Sequence, residues 1–201
     1  HEIRTPMNAI LGFTELLQDP EITTDVIESY VSIIHRSGYH LLAIINDIIE
    51  ISKIETGQIT PRYVAFNIGA LIRDLYETLK VTIPDNKAVR LMIVPGQATL
   101  DYSIYSDEVK LTQVLTNLIS NALKFTEEGV VSFGYREQGD WLEFRVKDSG
   151  IGIDETNHEL IFDRFYQVEE GWKKEVSGTG IGLSLTRELT TLLHGEIRVE
   201  S

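Results

Sequence analysis

Between Ile27 and Ile48, apolar or small residues recur at alternating steps of four and three: Ile27, Val31, Ile34, Gly38, Leu41, Ile45 and Ile48. Such a spacing writes one narrow apolar seam along a long helix, and a seam that narrow needs a matching seam to cover it. Thr24 and Asp25 stand where this helix starts and are expected to cap it, and Thr56-Gly57 marks its end. Ahead of it, Ile3, Met7, Ile10 and Leu17 fall at helical spacing until Asp19-Pro20 breaks the pattern. The two segments therefore predict an antiparallel helical hairpin that hides its stripe against a second copy, as half of a dimeric four-helix bundle.

Past the hairpin the periodicity changes. QITPRYVAF at 58–66 carries a proline and β-formers and is read as the linker and first strand of a second unit. Asn67 is expected to cap a helix to about Val81, and VRLMIV at 89–94 reads as a strand. Asp107 caps a helix running to Phe125, VVSFGYR and WLEFRVKD form a hairpin joined by EQGD, and a last helix ends at His194-Gly195 before a final strand, EIRVES. This mixture predicts an α+β chain in which residues 1–57 form the helical hairpin and residues 67–201 an α/β sandwich, a sheet covered on one side by helices. At 201 residues the chain is long enough for both.

Charge and composition exclude several classes of function. A net charge of −13 opposes a polyanion over most of the surface, so nucleic acid is not an expected partner. Glycine-rich backbone and a few lysines still suffice to hold a small anion locally. The chain has no cysteine, so it has neither a disulfide framework nor a thiolate metal site. Its apolar runs, such as LLAII at 41–45, are far shorter than the roughly 18–20 residues that span a bilayer.

Several short segments carry residues suited to chemistry. HEIRTPMN at 1–8 sets Glu2 beside His1 and places Thr5 and Pro6 about one turn later. In LTNLISNALKF, Asn117, Asn121, Lys124 and Phe125 lie at i, i+4, i+7 and i+8, along one helix face. Carboxamide oxygens are hard neutral ligands that suit Mg²⁺, and a lysine one turn on suits phosphate; the alternative is a solvated face opposite an apolar one. DSGIGI puts Asp148 at a strand end, followed by Gly150 and Gly152, where the backbone turns sharply and a carboxylate can accept a hydrogen bond from an exocyclic amine. SGTGIGLSL sets Gly178, Thr179, Gly180, Gly182 and Leu183 where a loop enters a helix, whose unpaired amides attract phosphate oxygens. It is neither a Walker A loop nor a Rossmann fingerprint. Between the glycine segments, IFDRFYQVEEGWKKEV reads as a lid anchored by Phe162 and Phe165, with Lys173 and Lys174 placed to reach phosphates.

Taken in order, HEIRTP, NLISNALKF, DSGIGI, IFDRFYQ and GTGIGLSL resemble the histidine, asparagine, first glycine, phenylalanine and second glycine boxes of bacterial two-component sensor histidine kinases. SKIETG at 52–57 resembles the end of that family's second helix, and FYQ with HEIRTPMNAI resembles the hybrid kinases that carry their own receiver. The resemblance implies a dimerisation and histidine-phosphotransfer hairpin followed by a GHKL catalytic ATP-binding domain. It implies ATP and Mg²⁺ as ligands, and an ATP-dependent autokinase that phosphorylates His1. Glu2 would act as the base and Thr5 would orient water or a partner aspartate; Pro6, unable to donate to the carbonyl of Glu2, should bend the helix.

The same resemblance assigns Asn117 and Asn121 to the metal, Lys124 to phosphate and Asp148 to the adenine amine. Phe125, Ile161 and Tyr166 would line the nucleotide, and the second glycine box would close over the phosphates. Gln167 stands where many members carry arginine. The expected partners are a second copy, through the hairpin, and a response-regulator receiver whose aspartate takes the phosphoryl group. The chain itself is expected to be a cytoplasmic portion, lacking the upstream half of its first helix and a final strand, with any anchor in the inner membrane carried by flanking segments. The competing class is a GHKL ATPase, in which a glutamate four residues before the metal-binding asparagine activates water; that position here is Asn117. An inactive nucleotide-binding signalling scaffold is the third reading.

Overall fold

The computed structural model describes residues 2–94, 102–168 and 179–201. The chain divides into two compact units, His1–Thr56 and Gly57–Ser201.

The first unit is a hairpin of α1 (Arg4–Leu16) and α2 (Thr24–Glu55). Near the connection, Phe13 of α1 packs on Tyr30 of α2 with ring centroids 5.0 Å apart. The expected capping by Thr24 and Asp25 is corrected: Thr23 is the N-cap, makes no side-chain cap bond, and Thr24 already lies in the helix. Asp25 instead places a carboxylate in the first turn, where it meets the positive end of the helix dipole. Seam residues Ile27, Val31 and Ile45 each keep more than a third of their surface open. Among the described residues α1 begins at Arg4, which places Pro6 in its first turn.

The second unit runs β1 (Val64–Asn67), α3 (Ile68–Lys80), β2 (Ala88–Ile93), β3 (Ser103–Ser106), α4 (Glu108–Phe125), β4 (Glu128–Gln138), β5 (Trp141–Asp148), two short 3₁₀ turns at Glu155–Asn157 and Leu160–Phe162, and α5 (Gly182–Leu192). The main sheet has the order β2-β4-β5. β2 and β4 are parallel, and β4 and β5 form an antiparallel hairpin in which Val131 faces Asp148 and Gln138 faces Trp141. β1 pairs with β3 in a separate two-stranded ribbon.

Both long helices begin as their local sequence dictates. The Asn67 side chain accepts from the amide of Ala70, and Asp107 accepts from that of Lys110 at 3.0 Å, the usual way of satisfying an orphan first-turn donor. Asp107 is buried, and its second oxygen accepts from the amide of Arg62 at 2.8 Å, which ties the linker to the start of α4. Ile68, Leu71, Ile72, Leu75 and Leu79 of α3 meet Leu111, Leu115, Ile119, Ala122 and Leu123 of α4 over Leu91, Val131, Phe133 and Tyr135 of the sheet. Each such aliphatic side chain contributes about 1.5–3 kcal/mol on burial, so this core fixes α4 against the sheet and leaves its polar stripe for other work.

EIRVES forms no strand. Its alternation satisfies the side-chain pattern of a strand, but a strand also needs a partner edge, and no ladder reaches it among the described residues.

Candidate functional site

The site is built on the face of α4 turned away from the core. Asn117, Asn121, Lys124 and Phe125 are all half-buried there, while Leu115, Ile119 and Ala122 point inward. The Lys124 ammonium lies 4.9 Å from the centre of the Phe125 ring, and burial holds its pKa below the ordinary lysine range. Lys87, in the α3–β2 connection, donates through Nζ to the carbonyl oxygens of Leu123 and Lys124, the latter at 3.2 Å. A cation thus meets the negative end of α4 at the turn that carries Lys124 and Phe125.

The start of α5 packs against this stripe. Asn117 donates through Nδ2 to Oγ1 of Thr186 at 2.6 Å. A β-carbon on Gly182 would stand 2.6 Å from Oδ1 of Asn117, so any larger residue there would have to displace the Asn117 carboxamide. Thr179 accepts the amide of Ile181 at 3.2 Å, and Leu183 lies half-buried in the first turn of α5. Gly180 adopts φ +65°, and its carbonyl accepts the amide of Phe165 at 2.8 Å. Phe165 itself has φ +63°, and a β-carbon on Gly180 would lie 2.8 Å from its backbone. The second glycine segment is therefore threaded between Asn117 on one side and the phenylalanine segment on the other. Gly178, Lys173 and Lys174 lie outside the described residues.

Asp148 closes β5 with an exposed carboxylate whose Oδ1 accepts the amide of Gly150 at 2.9 Å. This turn leaves Oδ2 available to a ligand. A β-carbon on Gly150 would lie 2.5 Å from the carbonyl oxygen of Phe125, so the turn rests directly on the end of α4. Gly152 has φ +72° and sits near Oγ of Ser201, which accepts the amide of Ile153 at 2.7 Å. Ile161 is half-buried in the second 3₁₀ turn, and Tyr166 donates its hydroxyl to Oδ1 of Asn157 at 2.6 Å. Arg187 of α5 lies 4.5 Å from the centre of the Phe162 ring and pairs with Glu159 at 2.8 Å, which clamps this segment to α5.

In the hairpin unit, Glu2 is half-buried and Thr5 is exposed on α1, while His1 lies outside the described residues. Sequence reasoning missed Thr186 and Lys87. Neither belongs to a glycine or asparagine motif, and each acts through a contact distant in sequence. Among the described residues no cluster of three or more His, Cys, Asp or Glu side chains is placed to hold a metal, and no helix is long and apolar enough to cross a membrane.

This arrangement, a two-helix hairpin followed by an α/β unit with a glycine-framed polar helix face, defines the class of sensor histidine kinases, and comparison with known proteins agrees. Residues 1–57 match the His Kinase A (phospho-acceptor) domain, and residues 106–201 match the family of histidine kinase-, DNA gyrase B- and HSP90-like ATPases. The chain belongs to the sensor histidine kinase family, and residues 106–201 of its second unit carry that family's ATPase-like domain. Along its whole length it is 38% identical to the autoinducer 2 sensor kinase/phosphatase LuxQ of Vibrio vulnificus and 38% identical to the aerobic respiration control sensor protein ArcB of Escherichia coli. It spans about a quarter of those relatives, 24% and 26% of their lengths. Among solved structures, full-length ShkA in complex with AMPPNP matches all of this chain and 41% of that one, at 26% identity and a TM-score of 0.74. Acinetobacter baumannii histidine kinase AdeS shares the fold at 20% identity, covering the whole chain and 91% of its own, with a TM-score of 0.75.

Proposed function

We propose that this chain is the kinase core of a two-component protein, which transfers the γ-phosphoryl group of ATP to His1 and passes it on to an aspartate of a receiver domain. The observation that carries the reading is the seating of Asn117, on the polar stripe of α4, against Gly182 at the start of α5, with Asp148 held at the other end of that stripe by the Gly150 turn. A nucleotide laid along α4 would meet the Asp148 carboxylate, Phe125 and Lys124 at one end, and the Asn117 carboxamide and the amides opening α5 at the other.

In this reading Oδ2 of Asp148 accepts the adenine amine, and the Phe125 ring, Ile161 and Tyr166 flank the base. Lys124 would offer its ammonium to phosphate oxygens, and the amides opening α5 would take the rest of the phosphate chain. Asn117 and Asn121 fit Mg²⁺ by the chemistry of their donors: two neutral, half-buried carboxamides on adjacent turns suit a hard cation that takes its remaining ligands from phosphates and water. Magnesium, when bound, would neutralise phosphate charge. Glu2 would draw the proton from one imidazole nitrogen of His1 while the other forms the new P–N bond and ADP departs with the electrons of the broken P–O bond. The half-open seam of α2 supports a homodimer formed through the hairpin.

Transfer is favoured over hydrolysis at this site, because the position four residues before Asn121 holds a carboxamide that cannot activate water as a base. Calorimetric titration with ATP tests the pocket. Asn121→Ala and Asp148→Ala should each weaken binding about tenfold or more, the first only when Mg²⁺ is present. Wild-type affinity in both variants would refute the pocket.

A further inference from the structure

We infer that Thr186 is a positioning residue that sets which atom of the Asn117 carboxamide is offered to the ligand. Thr186 is 1% exposed and makes two hydrogen bonds through one hydroxyl. Its single proton goes to the carbonyl of Gly182, one turn back in α5, at 3.0 Å. The oxygen is then left to accept, and it accepts Nδ2 of Asn117 at 2.6 Å. The reversed carboxamide would press Oδ1 against a lone pair, so the amide is held with Nδ2 on Thr186 and Oδ1 against the open face of Gly182. A hydroxyl that touches no ligand thereby turns an asparagine from a side chain with two equivalent settings into an oriented oxygen donor.

The geometry also explains why two features of α5 occur together. Gly182 removes the β-carbon that would crowd Oδ1, and Thr186, on the same helix face one turn later, holds Nδ2. The consequence concerns the metal more than the nucleotide. A lost orientation would weaken a cation that accepts only oxygen, while contacts to the base through Asp148 would not depend on it.

The inference rests on the reading of Asn117 as a metal-binding residue, and the test separates the two. The quantity measured is the ratio of ATP affinity with Mg²⁺ to ATP affinity in chelator. Thr186→Val, which keeps the shape and removes the hydroxyl, should lower that ratio about five- to tenfold, the effect of one hydrogen bond to a buried amide. Thr186→Ser should keep it. A Thr186→Val protein with the wild-type ratio overturns the inference. Asn117→Ala reports on the underlying reading: an unchanged ratio there removes the metal from Asn117, whereas a collapsed ratio in Asn117→Ala beside a wild-type one in Thr186→Val removes only the role of Thr186. Should Thr186→Val fail to fold, the metal-free wild-type protein decides. Nuclear Overhauser contacts between the Asn117 Nδ2 protons and the Thr186 methyl group are expected, and their absence overturns the inference.

Discussion

Gly182, the first residue of α5, approaches Asn117 of α4 so closely that an added β-carbon would stand 2.6 Å from the Asn117 Oδ1. Real side chains do not pack at that distance, and both partners sit on helices that the core holds in place. Gly182→Ala should therefore displace the Asn117 carboxamide and lower Mg²⁺-ATP affinity about tenfold or more, measured by titration calorimetry, while circular dichroism reports the native helix content. Wild-type affinity would mean that Asn117 has no part in the pocket.

At the other end of the stripe, Gly150 rests on the Phe125 carbonyl, where a β-carbon would lie 2.5 Å away. Gly150→Ala should push the Asp148 turn off the end of α4 and weaken nucleotide binding with or without Mg²⁺. That independence of metal distinguishes it from changes at Asn117, and titration in chelator reads it directly.

Lys124 makes nucleotide binding depend on pH. Burial holds its pKa low, and bound phosphate would favour its charged form, so binding takes up a proton once the pH exceeds the lowered value. ATP affinity should fall as pH rises through that value, and Lys124→Gln should abolish this part of the dependence. Stability of the empty domain runs the opposite way. Between the lowered and the ordinary lysine pKa the unfolded chain binds more protons, so stability contributed at this position rises with pH. Urea unfolding across the same pH range measures it.

Lys87 closes the negative end of α4 by donating to the carbonyls of Leu123 and Lys124. Lys87→Met keeps the aliphatic stem and removes those bonds. A loss of about 1–2 kcal/mol in urea unfolding is expected, together with a smaller loss of nucleotide affinity, because Lys124 and Phe125 stand on the turn that frays.

What could be read from the sequence followed its locality. Asn67 and Asp107 bond amides three residues away, so their caps were legible before any tertiary structure. The asparagine, lysine and glycine positions were legible as spacing on one helix or one turn. β3 escaped because a strand of four residues has too little alternation to announce itself and exists only through β1, some forty residues earlier. EIRVES failed in the opposite sense, having the alternation without the partner. Thr186 was invisible for a third reason. In sequence it is one threonine of an amphipathic helix, and its role arises only where α5 meets Asn117 across 69 residues of chain.

The central claim is that phosphate held over α4 is delivered to His1. Incubating the intact kinase with γ-labelled ATP and Mg²⁺ should yield an acid-labile, base-stable adduct on His1, absent from His1→Gln although that variant binds ATP as tightly as the wild type. Label that persists in His1→Gln, or that is stable to acid, would contradict the account.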